Sequence, residues 1–249
     1  MIFDGLQIGI PSRSRPHRQI TIFNLSEDLW PNIFLMVPSD QYYLYRKNTP
    51  LAINVIGCYE YGVHAQRQAI LQQRATGKVI MFDDDLTFYR RLSEDASKFV
   101  RMGQSESLPM VWEICNFLDR YVMVGMVDKF MSQTRPRGHV ECSRCNKVLA
   151  FNRDMFPNPW PSFRIPHDED HDVHLQLITQ GYRTAVLTEY SKSDPVEAPG
   201  GCTDWRSPEV FAETYRLLLE YWPTIVTVVG EKKVRYNWKE AKRIGGIAT

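Results

Sequence analysis

The first 88 residues alternate between short apolar runs and longer segments with helical spacing. Leu6-Gln7-Ile8-Gly9-Ile10 predicts a strand. A basic turn with Pro11 and Pro16 follows, and then a helix over 16–25. A second strand is predicted over 33–37, after which Ser39 or Asp40 caps a helix to Tyr45. A third strand over 51–56 leads to a helix over 62–75, stopped by Gly77. The apolar run from Lys78 to Phe82 is the fourth strand, and it ends in Asp83, Asp84 and Asp85. Strand and helix thus alternate three times before that acidic strand. The pattern predicts right-handed crossovers and a doubly wound, mostly parallel central sheet with flanking helices, an α/β fold.

The second half is less regular. A polar loop is expected over 93–104, then a helix over 107–120 with Ser107 as cap and Leu108, Val111, Ile114, Cys115 and Leu118 on its apolar face. Strands are expected over 121–127 and 147–151, and a basic loop over 132–139 has the make-up of a lid or an ordinary surface connection. Residues 152–166, rich in proline and aromatic side chains, suit either an acceptor pocket or a packed connector. A helix over 173–180 ends at Gly181 and leads to a strand over 182–187. Residues 189–206 read as a long polar loop. Ser207-Pro208 starts a helix to Tyr221, and 224–229 is a last strand. The tail over 231–243 holds six Lys/Arg against two Glu and reads as a solvated charge run.

A chain of 249 residues with 43% hydrophobic positions is long enough to bury a full core. No apolar stretch approaches a membrane span and no signal sequence opens the chain, so a cytoplasmic protein with no membrane partner is expected. Five scattered cysteines fit a reducing compartment better than a disulfide framework. Cys142-Ser143-Arg144-Cys145 has no second cysteine or histidine pair at finger spacing, which argues against zinc. The net charge of +1 gives no compositional sign of a polyanion partner.

The acidic strand end is the centre of the candidate chemistry. In a parallel α/β sheet, ligands bind beyond the carboxyl ends of the strands. Adjacent carboxylates repel unless a cation neutralises them, and Mg²⁺ or Mn²⁺ commonly bridges such oxygens to substrate phosphates. On an extended backbone Asp83 and Asp85 share one face and Asp84 turns away. Arg13, Arg15 and Arg67 are candidate diphosphate contacts, since guanidinium forks match phosphate oxygens. Each of these features alone also fits a solvated surface. A second cluster, His167 to Asp172, opens a helix, where the dipole favours acids and would fix a general base.

An alternating N-terminal half ending in Asp-x-Asp, followed about 85 residues later by Glu169-Asp170 at a helix start, resembles the GT-A fold nucleotide-sugar glycosyltransferases over nearly the whole chain. Gly9-Ile10-Pro11-Ser12-Arg13 with Phe82-Asp83-Asp84-Asp85-Leu86 is similar to the phage TET-associated glycosyltransferases, which are thought to act on 5-hydroxymethylpyrimidines in DNA. The resemblance implies a single GT-A-like domain, with 1–88 binding the nucleotide sugar and 89–249 the acceptor. It implies Asp83 and Asp85 as ligands of Mn²⁺ or Mg²⁺, and Asp170 with Glu169 as the catalytic carboxylates of an inverting transfer. Pro11, Ser12, Arg13, Arg15, Asp40, Arg67 and Asp84 would then surround the nucleotide of a UDP-sugar. The acceptor would be hydroxymethylated DNA in a host cytoplasm. A third metal ligand, frequent in such enzymes, has no match here. Transfer to a surface glycan or protein, a nucleotidyltransferase, and a binding module without turnover remain open, and oligomeric state is unspecified.

Overall fold

The computed structural model describes residues 3–60, 62–73, 76–132, 134–156, 160–195, 207–229 and 233–248. Strands β1 (Gln7–Pro11), β2 (Ile33–Pro38), β3 (Asn54–Cys58) and β4 (Lys78–Phe82) pair in parallel in the order β3-β2-β1-β4. The same sheet holds β5 (Thr87–Arg91), β6 (Phe99–Arg101), β7 (Met123–Asp128), β8 (His139–Glu141), β9 (Val148–Asn152) and β10 (Thr184–Ser193). Its order continues β4-β9-β7-β10-β5-β6, with β8 beside β10. β9 is antiparallel to β4 and β7, and β5 and β8 are antiparallel to β10. The remaining seven strands share one direction, so the sheet is mostly parallel, as the alternation predicts.

Both faces of its central strands are covered, which is why β2 is apolar at every position and β4 at every position after Lys78. On one face Ile33, Leu35 and Val37 pack with α1 (Ile20–Asn24), α2 (Tyr42–Asn48) and α4 (Ser107–Leu118), and the short α5 (Lys129–Ser132) follows β7. On the other, Phe34 and Met36 pack with α3 (Val63–Gln72) and α6 (Glu169–Thr179). Gly9 lets α3 approach: a Cβ there would collide with Ile70. Arg67 lies one turn before Ile70, so that close approach sets where its guanidinium sits.

The outer side of α6 is covered in turn by α7 (Pro208–Tyr221), the hairpin β11 (Val226–Val228) and β12 (Val234–Tyr236), and α8 (Trp238–Ile244). Every residue from Glu169 to Ile178 is therefore buried.

Several expected boundaries move. The helix over 16–25 shrinks to α1, because residues 12–19 form a loop pinned by Tyr45, whose Oη accepts from Arg15 N at 3.0 Å. Ser39 and Asp40 lie inside a short 3-10 turn, and neither side chain caps α2. Ser107 caps nothing; its buried hydroxyl accepts from Ser26 N at 2.8 Å. β6 lies within the segment read as loop, β10 runs on to Ser193, and the charged tail folds as β12 and α8. Alternation explains the tail: in β12 Val234 and Tyr236 turn inward while Lys233 and Arg235 stay exposed. Residues 196–206, from the predicted long loop, fall outside the described residues, as does Cys202. Cys58, Cys115, Cys142 and Cys145 are free thiols.

Candidate active site

The carboxyl ends of β1 and β4 meet at one sheet edge. β9 runs the opposite way, so its entry joins them, and Asp83 N donates to Lys147 O at 3.0 Å. The amino end of α6 closes the opening. Together they form a cleft of about 380 Å³ lined by Pro11, Ser12, Arg13, Arg15, Arg67, Asp83, Asp84, Asp85, Glu169 and Asp170, among others. All the residues singled out from the sequence are in that set except Asp40. Asp40 is exposed and lines an adjoining recess of about 190 Å³ that shares Arg13 and Gln66 with the cleft.

Three buried polar side chains shape the β1 side of this edge. Gln66 Nε2 donates to Ser12 O at 3.0 Å and Met36 O at 2.9 Å, tying the loop after β1 to β2. Ser12 Oγ is bonded to Asp84 and lies 2.8 Å from Tyr45 Oη. Arg15 Nη1 donates to Asp84 Oδ1 at 2.8 Å and Asp85 Oδ2 at 2.7 Å.

Asp84 therefore does not turn away. Residues 84 and 85 form a turn, not an extended strand, so strict alternation fails and both carboxylates face one guanidinium. Burial pushes the Asp84 carboxyl up to about 7 despite the opposing pull of Arg15 and Ser12. Asp85 is also pushed up, by burial first and then by the charges of Asp83 and Asp194.

Arg67 is the side chain that joins the two acidic clusters. Its Nη2 donates to Asp83 Oδ1 at 2.6 Å and its Nη1 to Glu169 Oε1 at 2.6 Å, with Asp170 Oδ2 at 3.8 Å. Only 3% of the side chain is exposed. Burial works against its charge, but Asp83, Glu169 and Asp170 hold it above its ordinary value. The two neighbouring carboxyls on α6 move apart. Burial raises Glu169, whereas His171 and Arg67 outweigh burial and lower Asp170. Pairs driven apart in this way are a common arrangement in acid–base sites.

Behind the second cluster, Asp168 adopts a left-handed backbone (φ 58°) and its carboxylate faces His171 Nδ1, 3.7 Å away. Ligand atoms of Asp168, Asp170 and His171 lie within 4.8 Å of one another. Arg144 Nε donates to His171 Nε2 at 3.0 Å, which leaves the ring proton on Nδ1. That nitrogen faces the two carboxylates as a donor at ion-pair range without a hydrogen bond to either, and with its proton in place it offers no lone pair to a metal.

Residues 6–194 match the TET-associated glycosyltransferase family. The chain belongs to that family. It is therefore a glycosyltransferase, and membership implies in general a nucleotide-sugar donor and a DNA acceptor. No curated protein matches the sequence. Among solved structures the chain is similar to residues 1–349 of S. aureus TarS, at 12% identity and TM-score 0.50, covering 88% of this chain and 73% of that one. It is also similar to a mycobacterial protein, at 9% identity and TM-score 0.53, covering 94% and 83% of the two chains. At such identities the likeness concerns the fold alone, and it agrees with the GT-A-like α/β architecture. No helix among the described residues is long and apolar enough to cross a membrane.

The glycosyltransferase cleft also contains residues that the sequence did not single out as its lining. Arg144 and Lys147 turn into the cleft, where Lys147 Nζ lies 2.6 Å from Asp194 Oδ1. Lys192 is wholly buried and bonded to Asp128 and to Asn146 Oδ1, holding the ends of β7 and β10 against the entry of β9. Arg137 in the basic loop donates to Leu92 O at 2.6 Å, and Gly138 N to Glu189 Oε1 at 2.9 Å, so that loop is tied down at both points. In the aromatic stretch Phe156 and Phe163 stand edge-on to Phe151 as a packed connector, whereas Pro166 at its end lines the cleft. Residues 157–159 lie outside the described residues.

Proposed function

We propose that this glycosyltransferase moves a sugar from a UDP-sugar to the hydroxymethyl oxygen of 5-hydroxymethylcytosine in DNA. The observation that carries the reading is the Arg67 fork, which brings Asp83 and Glu169 to one guanidinium across a single cleft. A donor site and an acid–base site must be adjacent for direct transfer, and a shared buried cation keeps them so.

Asp83 and Asp85 have the donor chemistry for Mn²⁺ or Mg²⁺. Arg67 engages one oxygen of Asp83 and Arg15 one oxygen of Asp85, and each carboxylate has a second. The repulsion among Asp83, Asp85 and Asp194 is what a hard cation would relieve. Bound there, the ion would supply charge stabilisation at the leaving diphosphate. Arg13 and Arg15 stand beside the same position to share that task. Ser12, Asp84 and the carbonyl end of β1 at Pro11 shape the wall on the nucleotide side, with Asp40 in the adjoining recess for the nucleoside.

On the acceptor side, Asp170 is held as a carboxylate and takes the hydroxymethyl proton while that oxygen attacks the anomeric carbon. The bond from that carbon to the diphosphate oxygen breaks as the new one forms, UDP leaves, and the carbon inverts. Glu169 stays on Arg67 and fixes the start of the helix. Residues 1–88 supply most of the donor side and 89–249 the acceptor side, joined through Arg67.

A glycan or protein acceptor is the second reading, favoured by the net charge of only +1. The test is UDP release with Mn²⁺ from several UDP-sugars, in the presence of hydroxymethylated or unmodified duplex. Release that requires the hydroxymethyl group and falls steeply with salt is expected. Hydrolysis indifferent to DNA would move the acceptor to glycans.

A further inference from the structure

The family match ends at residue 194, but the chain beyond it reaches back to the second acidic cluster. Four contacts made by the C-terminal segment fall on α6 or on Asp168, which precedes it. Tyr236 Oη donates to Asp168 Oδ2 at 3.0 Å. Trp222 Nε1 donates to Asp172 Oδ1 at 2.7 Å. The rings of Tyr236 and Trp238 stand 4.8 and 6.2 Å from that of His171, centroid to centroid. Gly245 lets the end of α8 sit directly on α6: a Cβ there would collide with Ile178 O. These are polar and ring contacts to named catalytic-side groups, more than an apolar cover requires.

We infer that Tyr236 is a positioning residue for transfer, acting through Asp168 and His171 on the Asp170 carboxylate. The Asp168 backbone is left-handed, a conformation Asp tolerates, and it turns the carboxylate toward both partners. One carboxylate oxygen accepts from Tyr236 and the other faces the Nδ1 atoms of His167 and His171. With the tether in place, His171 Nδ1 lies between Asp168 Oδ1 at 3.7 Å and Asp170 Oδ1 at 3.4 Å, and Arg144 closes the opposite side of the ring. Without it, the Asp168 carboxylate loses one of its fixed contacts, and the field that His171 and Asp170 share shifts with it. The segment outside the family match is then part of the catalytic apparatus in this chain.

This inference rests on Asp170 being the base, so the test separates the two. Tyr236→Phe removes one oxygen and keeps the ring; Val226→Ala loosens the same apolar cluster without touching the polar chain. The first readout needs no substrate. Long-range ¹H–¹⁵N NMR of the histidine rings should show His171 as one Nδ1-protonated tautomer in the native chain and in Val226→Ala. In Tyr236→Phe the tautomer should persist, held by Arg144, while the Nδ1 resonance shifts as Asp168 moves. The second is turnover of UDP-glucose with hydroxymethylated duplex: Tyr236→Phe should lower kcat about tenfold with KM for the donor unchanged. In a double-mutant cycle its loss should not add to that of Asp168→Asn. An unchanged His171 Nδ1 resonance, a loss matched by Val226→Ala, or strict additivity with Asp168→Asn overturns the inference. If Asp170→Asn turns over normally, the base assignment fails instead, whatever Tyr236→Phe does.

Discussion

The acidic turn at 83–85 and the acidic helix start at 168–172 face each other across the cleft, and they are built in opposite ways. The turn follows a strand, leaves the Asp83 side chain 25% exposed, and is neutralised by two arginines from other elements. Such a site suits a guest cation. The helix start is buried between two apolar clusters, and its carboxylates are paired by fixed side chains around it: the arginines Arg67 and Arg164 and the Trp222 and Tyr236 donors. Such a site suits a side chain that must keep one orientation. Buried charges persist only when paired, and the difference lies in whether a partner is exchangeable or permanent.

Arg67 is the one side chain common to both, so its loss should have the largest effect. Arg67→Ala strands Asp83 and Glu169 together, and we expect turnover to vanish and stability to fall by about 3–5 kcal/mol in a urea titration. A native-like midpoint would mean that the two clusters do not depend on it.

Next come the variants that separate the clusters. Asp85→Ala should reduce transfer about 10²–10³-fold with an unchanged melting temperature. Chelation of divalent ions should reproduce that loss in the native chain and add nothing to the variant. Asp170→Asn should cut kcat about 10²–10⁴-fold while leaving donor affinity intact. Equal losses in kcat and donor binding would remove its role as base.

Smaller effects test the permanence of the second cluster. Asp172 is wholly buried and bonded to Arg164, Gln176 and Trp222. Trp222→Phe should therefore cost about 1–3 kcal/mol in thermal or urea unfolding and little turnover at saturating donor. The smallest effect is expected at Asp40, which is exposed and outside the main cleft. Asp40→Ala should alter KM for the donor no more than a few-fold with kcat unchanged, measured by UDP release.

The parallel half of the fold was legible because its signals are local. β1 to β4 are short apolar runs broken by turn residues, and burial on both faces matches their unbroken apolarity. The acidic clusters were legible for a related reason: several carboxylates beside an apolar run are costly without a task. What was not legible depends on contacts distant in sequence. Nothing local marks Arg67 as the link between Asp83 and Glu169, which lies 102 residues away. Asp84 was placed on the wrong side because a turn at 84–85 replaced the extended backbone on which alternation depends. The tail looked solvated because its lysines and arginines outnumber its apolar residues. Yet Val234, Tyr236, Trp238 and Ala241 fall on the inward side and pack against α6. Tyr236 in particular carried no signal, since a tyrosine among lysines has many ordinary explanations.

The most direct test of a single glycosyl-transfer site is the mass of the modified nucleoside itself. Hydroxymethylated duplex would be incubated with Mn²⁺, a panel of UDP-sugars and the native chain, Asp85→Ala or Asp170→Asn, then digested and weighed. The account predicts a gain of one sugar on 5-hydroxymethylcytosine with the native chain and almost none with either variant. A full gain with either variant, or no gain from any donor while UDP is still released, would contradict it.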